Sequence, residues 1–208
     1  DNYDEALKDF AKAIEISTDD YGTSRAHNNR ALIYEVEEKY KLAIEEFTKA
    51  IEINHQPWVY KNRADVYLEL EDYEKALEDF TSAIDLDKDN PEGYDNRADC
   101  YIAMEKYTDA LKDLDKAIDL APENPLYYNN RADFYDDQGK SDEALKDYAT
   151  AIEISTDSFG TARAINNRAM IYEDQEKYDL SIEEFTKALT FLEHPIIYTQ
   201  RAGVYMNS

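Results

Sequence analysis

Cysteine, glycine, proline and histidine are all scarce in this chain of 208 residues, which has one Cys, five Gly, five Pro and three His. The lone Cys100 excludes a disulfide framework within the chain and any zinc site built on cysteine. So few glycines and prolines leave too little punctuation for a fold of many short strands, and helices become the default. No apolar run approaches the ~18 residues of a membrane span, and no signal-peptide pattern is present. Cations are scarce as well: 23 Lys and Arg against 47 Asp and Glu give a net charge of −24. Nucleic acid is bound by cations that neutralise phosphates, so this balance argues against it as a partner, and against anionic membrane surfaces on the same ground. Acidity of this degree can mean disorder, but 43% of the residues are hydrophobic and 12% aromatic, too many for a solvated tail. The first residue is Asp rather than Met, which suits an excerpt of something longer.

What is present in abundance is repetition. Arg-Ala recurs at Arg30, Arg63, Arg97, Arg131, Arg168 and Arg201, at intervals of 33, 34, 34, 37 and 33 residues. Four residues after each Arg stands a tyrosine, from Tyr34 to Tyr205. Ten after it stand Tyr40, Tyr73, Tyr107, Ser141 and Tyr178; thirteen after, Ala43, Ala76, Ala110, Ala144 and Ser181. Seventeen after come Phe47, Phe80, Leu114, Tyr148 and Phe185; twenty after, Ala50, Ala83, Ala117, Ala151 and Ala188. Steps of 3, 4 and 3 along the later columns trace one face of an α-helix. A longer period overlies this one: residues 4–50 match residues 142–188 at about three quarters of positions, four repeats apart. Both copies carry an insertion, Ser17–Thr23 and Ser155–Thr161, in which Gly22 and Gly160 suit a helix C′ position or a turn. The spacing predicts first helices over 23–36, 56–69, 90–104, 124–137, 161–174 and 195–206. Second helices are expected over 2–16, 40–53, 73–86, 107–120, 141–154 and 177–192. Asn90-Pro91 and Asn124-Pro125 read as an N-cap followed by Pro in the first turn.

These columns resemble the tetratricopeptide repeat, a helix–turn–helix unit of 34 residues, most closely from Tyr94-Asp95-Asn96-Arg97-Ala98 through Tyr101, Tyr107, Ala110, Ala117 and Pro122. The resemblance implies an all-α, right-handed superhelix of twelve helices, with first helices lining a concave surface along which ligands lie. The whole chain, 1–208, reads as a single array. A half-repeat at 1–20 leads to repeats of about 24–55, 57–89, 91–124, 125–158 and 162–194, and a half-repeat at 195–208 follows.

The residue before each Arg is Asn29, Asn62, Asn96, Asn130 or Asn167, with Gln200 last, an amide ladder able to grip an extended backbone. Such ladders hold peptides in the family, so the resemblance implies peptide binding, although Asn is also simply common at this place. Asp65, Asp99 and Asp133 follow the Arg by two residues in the middle repeats. Together with Glu69, Glu92, Asp95, Asp137 and Asp174 they would make a negative groove that attracts a basic protein segment. The alternative is a solvated acidic face. Trp58, beside Lys61, is placed either as an interface anchor or in packing against the next helix. Arg25 and Arg163 are the basic residues of their column. The family's clamp for a terminal carboxylate does not fit, because Lys61 is the only lysine in the relevant column and Asp65 stands where an Asn is needed.

The recurrent Arg reads as structural. Each second helix offers it an acid, Asp9, Glu46, Asp79, Asp113, Asp147 or Glu184, for a bidentate pair between the helices of one repeat, and the Tyr four residues on can stack against it. Chemistry finds little support. His27, His55 and His194 share no column with each other or with Cys100, and His27 takes an aromatic column, which suits packing. No nucleophile elbow, phosphate loop, regular calcium loop or cofactor motif occurs, so neither an enzyme nor a metal site is expected. The faces at the two ends, Tyr3, Ala6, Phe10 and Ala13 against Ala202, Val204 and Tyr205, would complete a repeat if copies stacked head to tail into a filament. A cut from a longer array would leave the same faces. The lack of an Asn-x-Ser/Thr site leans the location towards the cytoplasm.

Overall fold

The computed structural model describes residues 2–208, and among them it places twelve α-helices and no strand. They are α1 (Tyr3–Ile16), α2 (Asp20–Val36), α3 (Tyr40–Ile53), α4 (Pro57–Glu69), α5 (Tyr73–Leu86) and α6 (Pro91–Ala103). There follow α7 (Tyr107–Leu120), α8 (Pro125–Asp137), α9 (Ser141–Ile154), α10 (Ser158–Asp174), α11 (Tyr178–Phe191) and α12 (Pro195–Asn207). Among the described residues no helix is long and apolar enough to cross a membrane.

Bounds agree with the sequence spacing except at the inserted segments, where α2 and α10 begin three residues earlier than expected. The cause is a cap. Asp19 and Asp157 each accept a hydrogen bond from the backbone N–H three residues on, Gly22 or Gly160, at 2.6 Å. The two glycines therefore lie in the first turn of a helix, not at a C′ position or in a turn before it. A Cβ on Gly22 or Gly160 would meet the capping carboxylate at 2.8 or 2.7 Å, so a larger residue there would make the Asp side chain shift. Asn90 and Asn124 cap α6 and α8, accepting from Glu92 and Leu126 N–H at 3.1 Å.

Each first helix from α2 to α10 ends in a left-handed residue. Glu38, Glu71, Glu105 and Glu176 have φ of 57, 56, 57 and 58°, and Gly139 has φ of 70°. The next N–H then returns to the tyrosine of the Arg column, as in Lys39 N to Tyr34 O at 2.7 Å and Lys140 N to Tyr135 O at 2.8 Å. This closes the last turn and fixes the angle at which the second helix departs. A side chain in the left-handed region costs about 1–2 kcal/mol, partly offset by the freedom that glycine adds to the unfolded chain. Glycine at Glu38, Glu71, Glu105 or Glu176 is thus expected to stabilise the fold by about 0.5–1 kcal/mol each, and Gly139→Glu to cost a similar amount. Urea midpoints check this: the four single variants should rise and the reverse variant fall. A fall on introducing glycine would refute the account.

The helices cluster into two compact units, one ending at Asp113 and the other beginning at Leu114. In the first, α2 packs on α3 and α4 on α5, with α1 against α2, α3 against α4 and α5 against α6. In the second, α8 packs on α9 and α10 on α11, with α9 against α10 and α11 against α12. The repeat columns fill these cores. Ala31, Ala64, Ala98, Ala132 and Ala169 are all fully buried, because a methyl group lets the two helices of a repeat approach closely. Phe47, Phe80, Leu114, Tyr148 and Phe185 are buried to within 1% and take large apolar side chains out of water.

Arg63 donates Nε and Nη2 to the two oxygens of Asp79 at 2.8 and 2.7 Å, and Nη1 to Thr48 on the preceding second helix at 2.9 Å. Arg97 does the same with Asp113, at 2.7 and 2.9 Å, and Thr81. Arg131 is held by Asp147 at 2.7 and 2.9 Å and by Asp115 at 2.6 Å. Each of these guanidiniums lies between two tyrosine rings, as Arg97 does between Tyr94 and Tyr101, both at 5.8 Å. One arginine therefore ties a first helix to its own second helix and to the one before it.

The duplicated repeats vary this theme at one position. Arg168 sets Nε and Nη2 on a single oxygen of Glu184, at 3.0 and 2.6 Å, beside the fully buried Ile165. In the other copy His27 replaces that isoleucine and places Nδ1 2.8 Å from Glu46, which also accepts from Lys49 at 2.7 Å. Arg30 Nε is left 3.5 Å away and without a hydrogen bond. Burial pushes the Glu46 carboxyl up, but the hydrogen bonds from Lys49 and His27 and the charge of Arg30 outweigh it and hold the group below its usual range.

Candidate peptide-binding face

In the first unit α2 touches α4, and the equivalent faces of α2, α4 and α6 carry most of the residues singled out by the sequence. Lys61 lies 3.3 Å from Asp65 and 3.6 Å from Glu92, bridging α4 to α6. Around it the carboxylates outnumber their cation. Burial pushes the Asp65 carboxyl up, Lys61 opposes this, and Glu92 and Glu69 push it further. Glu35 is raised by burial, Asp65 and Glu69 against the same lysine. Asp99 reaches about 6, through desolvation first and the neighbouring Asp95 second. Asp99 is exposed at the surface, yet the protein crowded around one side of it removes enough surrounding water to disfavour the charge.

A cavity of about 330 Å³ opens between α4 and α6. Trp58, Lys61 and Asn62 wall one side, Glu92, Gly93 and Asn96 the other, with Phe80 and Ala83 at its base. Trp58 packs against the apolar cluster of Val59 and Phe47, one of its two expected placements, and also lines this cavity. Here the amide ladder is uneven. Asn29 accepts from Asn28 at 3.3 Å, and Asn62 donates its Nδ2 to Asn28 at 2.9 Å. Asn96 Nδ2 is sealed from solvent and donates to nothing.

In the second unit Asp133 is held by its neighbours. Asn167 Nδ2 donates to Asp133 Oδ1 at 2.9 Å, the Tyr148 hydroxyl donates to the same oxygen, and Arg163 holds the other. Arg163 also reaches Asn130 Oδ1 at 3.3 Å. Asp133 is therefore already matched with a cation and two donors, and Asn167 spends its amide on a neighbour rather than on a ligand. Tyr148 makes this possible by bringing a hydroxyl into a column where three other repeats have Phe. Its phenol is pushed up by burial and then by that carboxylate. Asp136 is the strained acid of this unit, raised by burial and by Asp174, Asp137 and Asp133.

The end faces are also sorted by burial. Ala6, Phe10 and Ala13 are half-buried and Tyr3 exposed, whereas the counterparts of the first three in α3, α5 and α9 are buried. Ala202 is exposed and Tyr205 is 58% exposed. Val204 does not belong with them: it is fully buried against Ile165, Ala169 and Phe185. Its column faces the preceding repeat, as Val66, Cys100 and Ile171 do, so it is no part of an open face. Sequence reasoning passed over Glu35, Asp136, the Tyr148 hydroxyl and the bare wall at Gly93. The first two could have been found, since they share the position five after the Arg with Glu173.

Models of the tetratricopeptide repeat match residues 24–57, 57–90, 91–124 and 123–194. No curated protein matches the chain in sequence. Among solved structures it is similar to PilF of Pseudomonas aeruginosa, at 21% identity over 97% of this chain and 90% of that one, with a TM-score of 0.71. A thermophilic TPR protein of Thermus thermophilus is 17% identical over 88% of this chain and 99% of its own, with a TM-score of 0.67. YrrB, described as a TPR protein with an unusual peptide-binding site, is 22% identical over 93% and 97%, with a TM-score of 0.63.

Proposed function

Because the chain belongs to the tetratricopeptide-repeat family, we propose that it is a non-catalytic scaffold that holds an extended, basic segment of another protein along its first helices. One observation carries the reading: Asp99 stands exposed on this face with no cation paired to it, and the surrounding protein and Asp95 raise its pKa to about 6. A carboxylate kept in such a place is poised for a cation that arrives from outside. Asp65, Glu69 and Glu35 extend the same field, and Lys61 offsets only part of it. The peptide-binding site named for YrrB lends the reading a precedent on this fold. Fluorescence anisotropy with labelled twelve-residue peptides tests it. A Lys-rich peptide should bind and weaken steeply as salt rises, while a Glu-rich peptide of the same length should not bind. Equal binding of both, or of neither, would sink the reading.

A second reading is end-to-end association of this chain. The Arg–acid pairs lie 16 residues apart, Arg201 has Thr186 as its partner and no carboxylate, and Asp9 is exposed with no arginine. Stacked in repeat register, Arg201 of one copy would stand 16 residues before Asp9 of the next. Sedimentation over a concentration series decides this: growth into long species supports it, and a constant 24.2 kDa overturns it.

A further inference from the structure

We propose that the cavity beside Gly93 is a specificity pocket for one aliphatic side chain of the bound segment, set next to a basic residue. The inference rests on the groove reading above and narrows its ligand. Four residues before each Arg, the repeats place Ala26, Val59, Gly93, Tyr127, Ala164 and Ile197. The five with side chains are all buried, from 0 to 6% exposed, so this column normally fills the space between neighbouring repeats. At Gly93 the column holds no side chain, and the residue lines the cavity. A Cβ there would meet Ile84 Cγ1 at 3.0 Å, so α6 lies close on α5 and presents bare backbone to the cavity.

The chemistry of the lining selects the occupant. Phe80, Ala83 and the ring of Trp58 make the base and one wall apolar, which suits hydrocarbon. Its volume, about 330 Å³, lies at the low end for ligand sites and suits one large side chain with a short stretch of backbone. Asn96 Nδ2 at the wall is a buried donor without an acceptor. Such a group is costly to leave unpaired, and a peptide carbonyl seated beside the inserted side chain would satisfy it after a rotation about χ2. Lys61 at the rim is shared between Asp65 and Glu92, so one lysine faces two carboxylates and net negative charge remains for the flanking residue. An aliphatic anchor with a Lys or Arg neighbour is complementary to both halves.

The test uses the full chain and Lys-rich twelve-residue peptides identical except for one central Leu, Ala or Trp. The wild type should bind the Leu peptide about tenfold tighter than the Ala peptide, as expected for a buried three-carbon difference in a partly open site. Trp58→Ala enlarges the pocket, so it should lose the preference for Leu and gain for Trp, with the melting curve reporting that the variant is folded. Gly93→Val should bring Leu and Ala peptides to equal affinity. If the wild type binds Leu and Ala peptides equally, and still in a salt-sensitive manner, the pocket is refuted and the groove reading survives. If no Lys-rich peptide binds at all, the groove reading falls and the pocket with it.

Discussion

Arg131→Ala should remove about 3–5 kcal/mol of stability, the usual cost of stripping one partner from a buried ion pair. The reason lies in what is left behind. Asp147 is 4% exposed and receives Nε and Nη2 of Arg131 at 2.7 and 2.9 Å, so the truncation leaves its carboxylate buried without a cation. The rings of Tyr128 and Tyr135, 6.0 and 5.9 Å from the guanidinium, lose their shared neighbour as well. Arg201→Ala supplies the control. That arginine has Tyr198 and Thr186 but no carboxylate, and its loss should cost under about 1 kcal/mol. A double change, Arg131→Met with Asp147→Leu, should recover most of the loss, because apolar groups of similar volume need no compensation. Urea unfolding read by circular dichroism measures the totals. Amide exchange places the damage: α8 and α9 should open first, since repeat stability is a sum of local and neighbour contributions. Should Arg131→Ala cost no more than Arg201→Ala, the arginine is not what holds the paired helices in register.

That register was legible in the sequence because both partners recur at fixed spacing. Arg63 with Asp79, Arg97 with Asp113 and Arg131 with Asp147 are each 16 apart, and a repeat fold converts equal spacing into equal geometry. The alanine and aromatic columns were legible for the same reason, and so were the helix bounds outside the insertions. What escaped depends on which neighbour a side chain reaches, and spacing does not encode that. Asp65, Asp99 and Asp133 occupy one column, yet Asp133 is matched by Arg163, Asn167 and Tyr148 because a Phe column happens to hold a Tyr there. Val204 looked like part of an open face until burial showed that its column packs on the preceding repeat. At Gly22 the spacing suggests a turn because glycine suits backbone freedom, whereas Asp19 caps the helix by accepting from its N–H. His27 shows how little sequence is needed to alter such contacts: one substitution relative to Ile165 diverts Glu46 from Arg30.

Of the acids in that column, Asp99 should show opposite effects on folding and on binding, and this separates a recognition residue from a solvated acidic face. Its pKa stands at about 6, above the ordinary 3.8, because burial and Asp95 both disfavour the charge. A folded-state value above the unfolded one means that the folded chain holds an extra proton between those limits. Ionised Asp99 therefore opposes folding above pH 6, and the penalty fades as pH falls towards 4. Asp99→Asn should raise the melting temperature at pH 7, by about 1 kcal/mol of stability once solvent screening of a partly exposed group is allowed for, and should change it little at pH 4. For a basic peptide the sign reverses. A cation stabilises the ionised form, so affinity should climb between pH 5 and 7 and binding at pH 5.5 should release protons. At pH 7 Asp99→Asn should weaken the Lys-rich peptide about tenfold, and Asp99→Lys about a hundredfold, since a like charge in the groove costs several kcal/mol. Melting curves and peptide titrations at three pH values read all of this in one set of samples. If Asp99→Asn is neutral in both, the carboxylate is an ordinary surface charge; if it destabilises the chain, Asp99 has a structural partner and the groove loses its best candidate. Only a variant that folds better and binds worse identifies a carboxylate kept charged for a ligand at the expense of the fold.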